Sequence, residues 1–385
     1  MHIGIFRTEN QTLNIDSYNC QEIGLARSLA KMGNRVSVYM SGDELVEPLI
    51  DEVIPGSQVT IFRSKARNIK LIQQGINRAK IRAIQPGKFD FIQINEYNEI
   101  ESFLLAIRAR KAGIPFIIYQ GMYTDIQGRV QKLYQRIFGN FALPFLRRNA
   151  EYVLTKTEWA AEFVRSKGFS KVHVLPVGLD PSQLDRGTEH HWRDQLNIAP
   201  EVPIVLYVGR LEARRNTNLL LEIAERFSKR GIAFIFAGRG EDFERAENFV
   251  RAQKLENVHL LGTVPQSQLR SLYQTSTCLV LPSNYEIFGM VLLEAMYFGL
   301  PPISSRTAGA EQIIQSGKDG IIVDNLSYES WEAAINLLLS NKVLISQLSN
   351  NAQDKIRSSM LWDHIARDYL NYVPKATTGI GFGNQ

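Results

Sequence analysis

At 385 residues, 44% apolar and 22% charged, the chain is long enough for two hydrophobic cores and has the composition of an ordinary globular protein. A net charge of +5 and an isoelectric point near 9.0 are too mild to indicate nucleic acid as a partner, although clustered positive charge would still matter. No apolar run approaches the roughly 18–20 residues that span a bilayer, and the two distant cysteines, Cys20 and Cys278, suit a reduced, cytoplasmic chain better than a disulfide framework or a zinc site.

The N-terminal stretch Met1–Phe6 is too short in its apolar part for a secretory signal, and Ile3–Phe6 reads as a first strand. Gln21–Lys31 follows as a helix, with Ile23, Ala26, Leu29 and Ala30 on one face and Gly33 just past its end. Val36–Tyr39, Phe89–Ile94, Phe116–Tyr119, Tyr152–Thr155 and Val172–Pro176 are short apolar runs separated by periodic, helix-length segments. That alternation predicts a parallel α/β sheet over residues 1–175.

Two segments of this half are basic. Thr60–Lys88 carries eight basic residues and no acid, and Arg129–Arg148 carries five and again no acid. In the second, Val130, Leu133, Tyr134, Ile137, Phe138 and Phe141 share a helical face and Arg129, Lys132 and Arg136 gather on another. Such a helix either lies on an anionic membrane surface, with Phe138, Phe141 or Phe145 inserting, or packs on its own domain with a solvated basic face.

Residues 176–200, polar and turn-rich through His190–His191, are expected to form an interdomain linker plus a short helix. The α/β pattern then restarts over 201–358. Strands are predicted at Ile204–Val208, Ala233–Ala237, Val258–Leu261, Leu279–Leu281, Pro302–Ser304 and Ile321–Val323, with helices at Asn218–Arg230, Asp242–Gln253, Gln266–Gln274, Ala310–Ser316 and Glu329–Leu339. A last helix, about Trp362–Tyr372, and a Thr/Gly-rich tail over 375–385 end the chain. No repeat of fixed period is visible, which argues against a solenoid.

The most informative stretch runs from Leu279 to Ala295. A short strand ends in Pro282-Ser283, a polar turn carries Glu286, Phe288 and Gly289, and a helix beginning near Met290 carries Glu294. Gly289 lets backbone approach a bound group, while the free N–H groups of a helix start favour an anion. A carboxylate can accept two hydrogen bonds from a vicinal diol. Two carboxylates flanking such a helix start therefore suit a ligand that is part hydroxyl-rich and part phosphate. Upstream, Val208-Gly209-Arg210-Leu211 and Arg215 place two guanidiniums near a strand end, where they can neutralise a diphosphate.

The run P-S-x-x-E-x-F-G-x-x-x-x-E-A resembles the donor-site signature of the retaining, nucleotide-sugar-dependent glycosyltransferases of family 4, and the resemblance extends over roughly residues 1–373. It implies the GT-B architecture, two Rossmann-like domains facing across a cleft: an acceptor domain (1–175), a donor domain (201–358), and a C-terminal helix (359–374) returning to the first domain. It further implies that Glu286 orients sugar hydroxyls and Glu294 holds the ribose. Arg210 and Arg215 would stabilise the departing diphosphate, which accepts the acceptor's proton in a front-face reaction without a protein nucleophile. Gly238 in Ala237-Gly238-Arg239-Gly240 corresponds to the family's G-x-G loop near the donor. Gly262 and Thr263 fall where the family backbone meets the nucleobase, and Phe288, Gly289 and Met290 complete the donor-side set.

The chain departs from the family in several places. The usual G-R-L-x-x-x-K-G has Arg215 for Lys and Asn216 for Gly, and Ser305–Gly309 with Glu311 lacks one glycine of G-G-x-x-E. On the acceptor side, Asp16-Ser17 stands in place of Gly-Gly, and Gln120-Gly121 in place of His-Gly. Gln120 can bond a sugar hydroxyl but cannot serve as a general base. No D-x-D occurs, so no metal site is expected and the arginines and helix start are expected to do that work. The co-substrate expected is a nucleotide-diphosphate sugar, UDP in preference to GDP, with no further cofactor. The expected acceptor is a lipid-linked glycan at the inner membrane surface. Transfer to a small soluble acceptor and nucleotide-sugar binding without transfer are the alternatives. A Rossmann oxidoreductase is disfavoured because no G-x-G-x-x-G opens the first helix.

Overall fold

A computed structural model describes residues 1–8, 20–42, 47–69, 74–125, 128–185 and 189–374. Asp16, Ser17 and the 375–385 tail lie outside them. The chain divides into two compact units, one of residues 1–178 and 362–385 and the other of residues 179–361.

Unit 1 is built on an eight-stranded sheet. Its strands are β1 (His2–Phe6), β2 (Arg35–Ser41), β3 (Leu49–Ile54), β4 (Ser57–Ser64), β7 (Phe91–Asn95), β8 (Phe116–Gln120), β9 (Val153–Thr155) and β10 (Val172–Val174). The order is β10-β9-β8-β7-β1-β2-β4-β3, and every neighbouring pair is parallel except β3 with β4. A separate hairpin pairs β5 (Arg67–Ile69) with β6 (Gln74–Ile76). The helices are α1 (Gln21–Lys31), α2 (Arg78–Ala83), α3 (Ile100–Lys111), α4 (Arg129–Asn149) and α5 (Glu158–Ser166). The central strands are buried along their whole length, as strands covered on both faces must be. Across β1, β2 and β4 the rings of Phe6, Tyr39 and Phe62 stack in sequence with centroids 4.6 Å apart.

The described residues of the basic Thr60–Lys88 segment include the rest of β4, the paired β5 and β6, and the six-residue α2. Lys80 is buried, donating to Glu101 at 3.0 Å and to Ser41 Oγ at 3.1 Å, so it adds nothing to the surface charge. Within α4 the expected single apolar face is two faces. Tyr134, Phe138 and Phe145 turn toward the domain, so Phe138 and Phe145 are not free to insert, while Phe141 is exposed.

Unit 2 carries a six-stranded, all-parallel sheet of β11 (Ile204–Val208), β12 (Ala233–Ala237), β13 (Val258–Gly262), β14 (Cys278–Leu281), β15 (Pro302–Ser305) and β16 (Ile321–Val323), in the order β13-β12-β11-β14-β15-β16. The order reverses beside β11, which creates a switch point at the carboxyl ends of β11 and β14. Its helices are α6 (Pro181–Leu184), α7 (Trp192–Gln195), α8 (Thr217–Arg226), α9 (Phe243–Ala252), α10 (Gln266–Thr275), α11 (Met290–Tyr297), α12 (Ala308–Ile313), α13 (Tyr328–Ser340) and α14 (Lys342–Ser359). The last of these has no counterpart in the sequence-derived elements. In the described part of 179–200, Trp192 is buried and donates to Ser271 on α10, and Arg193 donates to three backbone carbonyls. The final helix, α15 (Trp362–Leu370), packs on α1 in unit 1.

Candidate active site

In unit 2 the switch point gathers the sequence-derived donor residues. Gly209, Gly238 and Gly262 stand at the carboxyl ends of β11, β12 and β13, tied crosswise by Gly209 N–H to Ala237 O (3.0 Å) and Gly238 N–H to Gly262 O (2.7 Å). Gly238 has φ +146°, and a Cβ there would lie 1.9 Å from the Gly209 carbonyl oxygen, so no side chain fits. Thr263, the next residue after β13, is exposed.

The loop after β11 and the loop after β14 are clasped together. Asn284 N–H donates to Arg214 O (2.8 Å), and the Arg214 guanidinium donates to Tyr285 O (3.2 Å). Arg215 donates to Ser283 Oγ at 3.1 Å and forms an ion pair with Glu286. Both charged groups are largely buried. Burial, then the nearby Arg214 charge, pulls the Arg215 guanidinium below the usual arginine range. Arg210 is exposed and pairs with Glu212 at 3.3 Å. The two arginines predicted to act together thus sit in different surroundings, one locked and one solvated.

Asn216, where the family has glycine, adopts φ +50° and ψ +40°, a left-handed conformation that asparagine tolerates better than most residues. Its side chain donates to Pro282 O (2.7 Å) and exchanges hydrogen bonds with the Asn284 amide (2.9 and 3.1 Å). Asn216 therefore combines a left-handed backbone with a tie to the Glu286 loop.

Gly289, with φ +84°, caps the start of α11. Met290 opens the helix and the Phe288 ring is buried beneath the turn. Gly309 presses on this turn from α12, and its N–H donates to Glu286 O (3.3 Å). Glu311 is ion-paired to Arg306. Glu294, one turn into α11, is buried and accepts a 2.6 Å hydrogen bond from the buried Tyr273 hydroxyl of α10. Burial, and then the Glu294 charge, pushes the Tyr273 hydroxyl well above its ordinary pKa, so the proton stays on tyrosine and the carboxylate accepts the hydrogen bond. Tyr273, Asn284 and Glu212 were not singled out by the sequence, and Ser283 entered only as part of the P-S motif. Tyr273 and Ser283 meet their partners through the fold, across 21 residues or more, whereas Glu212 pairs with the neighbouring Arg210 and Arg214, and Asn216 carried a local signal as a residue tolerant of positive φ.

In unit 1, Gln120 ends β8 with its side chain sealed from solvent. Its Oε1 accepts from Tyr97 N–H (3.0 Å) and its Nε2 donates to Met122 O (3.4 Å). The amide thus holds together the loops after β7 and β8. Beside it Glu96, at φ +56°, accepts from Gly121 N–H at 2.9 Å. Glu22 at the start of α1 accepts from Asn95 (2.6 Å) and pairs with Arg7 (3.1 Å). Burial pushes the Glu22 carboxyl up, but the Arg7 and Lys156 charges outweigh it and hold the pKa below the usual range. Glu22, Arg7 and Glu96 were likewise not picked out by sequence. Among the described residues no group of three or more His, Cys, Asp or Glu side chains is placed to hold a metal ion, and no helix is long and apolar enough to cross a membrane.

Two family models match in succession: Glycosyltransferase Family 4 over residues 23–183 and Glycosyl transferases group 1 over residues 188–355. A D-inositol 3-phosphate glycosyltransferase of Xylanimonas cellulosilytica is 22% identical over 93% of this chain and 91% of its own length. An alpha-D-kanosaminyltransferase of Streptomyces kanamyceticus is 26% identical over 65% of this chain and 68% of its own. Against an uncharacterized glycosyltransferase of Methanocaldococcus jannaschii, 28% identical over 55% of this chain, the match spans only about half of the relative's length, 56%. Among solved structures, Anabaena HepE in complex with UDP and glucose superposes with a TM-score of 0.69 at 16% identity, covering 96% of this chain and 98% of that one. The sucrose-phosphate synthase of Thermosynechococcus elongatus gives 0.70 at 19%, covering 96% and 97%. With two α/β units on parallel sheets and a family-4 model followed by a group-1 model along 23–355, the chain belongs among the GT-B glycosyltransferases.

Proposed function

We propose that the protein is a retaining glycosyltransferase that moves a sugar from a nucleotide-diphosphate sugar, UDP in preference to GDP, to a lipid-linked glycan in cell-surface polysaccharide or glycoconjugate synthesis. The observation that carries this reading is the Arg215–Glu286 pair beside the start of α11, with Glu294 one turn further on. A diphosphate arriving at the helix start would compete with Glu286 for the Arg215 guanidinium. The carboxylate so released would accept hydrogen bonds from sugar hydroxyls. Glu294, oriented by Tyr273, would meet the ribose. The bond from the anomeric carbon to the diphosphate oxygen breaks as the acceptor oxygen attacks the same face. The acceptor proton passes to the leaving diphosphate, whose growing charge Arg215 and Arg210 offset. UDP is favoured because HepE binds it on the same fold. A cytoplasmic site of action accords with two buried, unpaired cysteines. The arginines and helix start take the part that metal-dependent enzymes give to a divalent ion, and so the reaction is proposed to run without one.

A second acceptor reading has its own support. Relatives include an enzyme named for D-inositol 3-phosphate, a small soluble molecule, whereas one structural neighbour is a lipopolysaccharide outer core galactosyltransferase. Screening nucleotide sugars by thermal stabilisation and then following labelled sugar into lipid or aqueous fractions tests both. A UDP-sugar should stabilise the protein, label should enter the lipid fraction in the presence of EDTA, and NMR should show the donor's anomeric configuration kept. Stabilisation by no nucleotide sugar would remove the donor reading. An absolute requirement for Mn²⁺ or Mg²⁺, or inversion, would remove the arginine-based, retaining part.

A further inference from the structure

Helix α4 has two apolar faces, and the fold uses one. Phe138 and Phe145 set their edges against Phe103 at 5.8 and 5.6 Å, Tyr134 donates to Gln74, and Ala142 and Leu146 are sealed in the unit 1 core. Val130, Leu133, Ile137 and Phe141 form a second stripe at spacings of three, four and four residues, and they are 45, 59, 53 and 74% exposed. No other element among the described residues exposes as many large apolar side chains. An apolar stripe facing water on an ordered helix marks an interaction surface.

The surroundings of the stripe say what covers it. Arg129, Lys132, Arg136 and Arg147 run along one flank at helical spacing and are all exposed, and Arg148 closes the far end. No acidic residue lies between Arg129 and Arg148. A second copy of this chain docked stripe to stripe would bring two basic rows together, an unfavourable arrangement. A surface that is anionic at its boundary and apolar just beneath matches both features at once.

We propose that the outer face of α4 docks unit 1 on an anionic lipid surface. Leu133, Ile137 and Phe141 enter the boundary between headgroups and acyl chains, and the basic flank meets the lipid phosphates. The surface belongs to unit 1 and the donor residues to unit 2, so the proposal stands whether or not the donor chemistry does.

Vesicle flotation tests it. The protein should float with phosphatidylglycerol-containing vesicles at low salt, stay behind with phosphatidylcholine alone, and be released at high salt. Ile137→Ser with Phe141→Ser, and separately Arg129→Glu with Lys132→Glu and Arg136→Glu, should each lose flotation. All five positions are exposed, so the melting temperature should stay put. Because Cys20 and Cys278 are buried, a Phe141→Cys variant takes an environment-sensitive fluorophore at the new thiol, whose emission should shift to the blue on anionic vesicles. Absence of flotation on anionic vesicles at low salt overturns the proposal, as does flotation that the serine pair retains. A dimer in sedimentation that the serine pair dissociates, without lipid binding by the wild type, would assign the stripe to a second copy instead.

Discussion

Glu286 and Glu294 share one strand-turn-helix unit but meet different surroundings. Glu286 is paired with a guanidinium, whereas Glu294 is buried and accepts from a tyrosine. Glu286→Ala should cut turnover by roughly ten- to hundredfold, the worth of a hydrogen bond to a charged group. Fold stability should fall as well, because the largely buried Arg215 guanidinium loses its charge partner although it keeps Ser283. Glu294→Ala should cut turnover as much and also destabilise the fold by about 1–3 kcal/mol, because the buried Tyr273 hydroxyl loses its acceptor. Glu294→Gln retains an acceptor for Tyr273, so its melting temperature should approach that of wild type while turnover stays low. If denaturant titrations show the alanine and glutamine variants equally stable, the Tyr273 contact contributes nothing. Arg215→Lys should retain more activity than Arg215→Ala, since charge survives while the reach of the guanidinium, whose Nη1 touches both Ser283 and Glu286, does not. At Asn216, alanine must adopt φ +50° at a cost of about 1–2 kcal/mol and loses the ties to Pro282 and Asn284, whereas glycine loses only the ties. The order of stability expected is therefore wild type, then Asn216→Gly, then Asn216→Ala. An alanine variant as stable as the glycine one would mean that backbone strain plays no part there.

At the level of elements, the carboxyl ends of β11, β12 and β13 are drawn close enough that β12 must end in glycine. Gly238→Ala would drive a Cβ into the Gly209 carbonyl, which is backbone and cannot swing away. Gly231→Ala supplies the comparison, since φ is also positive but nothing lies within 4 Å. Gly231→Ala should cost only the conformational term, about 1–2 kcal/mol. Gly238→Ala should cost about 1–3 kcal/mol more and weaken nucleotide-sugar binding as the strand ends part. Equal destabilisation of the two, with binding intact in both, would mean the approach is not tight. Elements of this kind were legible in the sequence because parallel strands covered on both faces read as continuous apolar runs, as in Ile204–Val208 and Ala233–Ala237. The β3–β4 hairpin was missed although Pro55-Gly56 marks its turn, because Leu49–Ile54 is an exposed edge strand broken by Asp51 and Glu52. The order Asn350-Asn351 inside α14 reads as a loop, and only the buried spacing Leu348, Ala352, Ile356 betrays the helix. The contacts Arg215–Glu286 and Tyr273–Glu294 could not be read at all, since the sheet order, not local pattern, brings their loops and helices together.

For the whole molecule the chain path matters most. The chain builds unit 1, then unit 2, and returns a single helix to unit 1, so that unit 1 depends on residues almost two hundred positions past its main segment. Trp362, Ile365, Ala366 and Tyr369 form the buried face of α15 at spacings of three, one and three residues. Gly24 makes room on α1 for the Trp362 indole: a Cβ at Gly24 would lie 2.1 Å from the indole nitrogen. Ser28 donates to Asp363 at 2.7 Å, and the Tyr369 ring lies 6.1 Å from that of Phe91 in β7. Trp362→Ala should therefore cost about 3–5 kcal/mol, the usual range for a large buried aromatic. The loss should fall on unit 1, since every contact named belongs to it. Gly24→Val should act in the same direction by forcing the indole out, even though α15 itself is left unchanged. Hydrogen exchange followed peptide by peptide would separate the two units: protection should drop in α1, β1 and β7 while β11, β12 and β14 keep theirs. Protection lost equally in both sheets would mean that the units unfold as one. Protection unchanged in α1 would mean that α15 is a passive appendage rather than part of the unit 1 core.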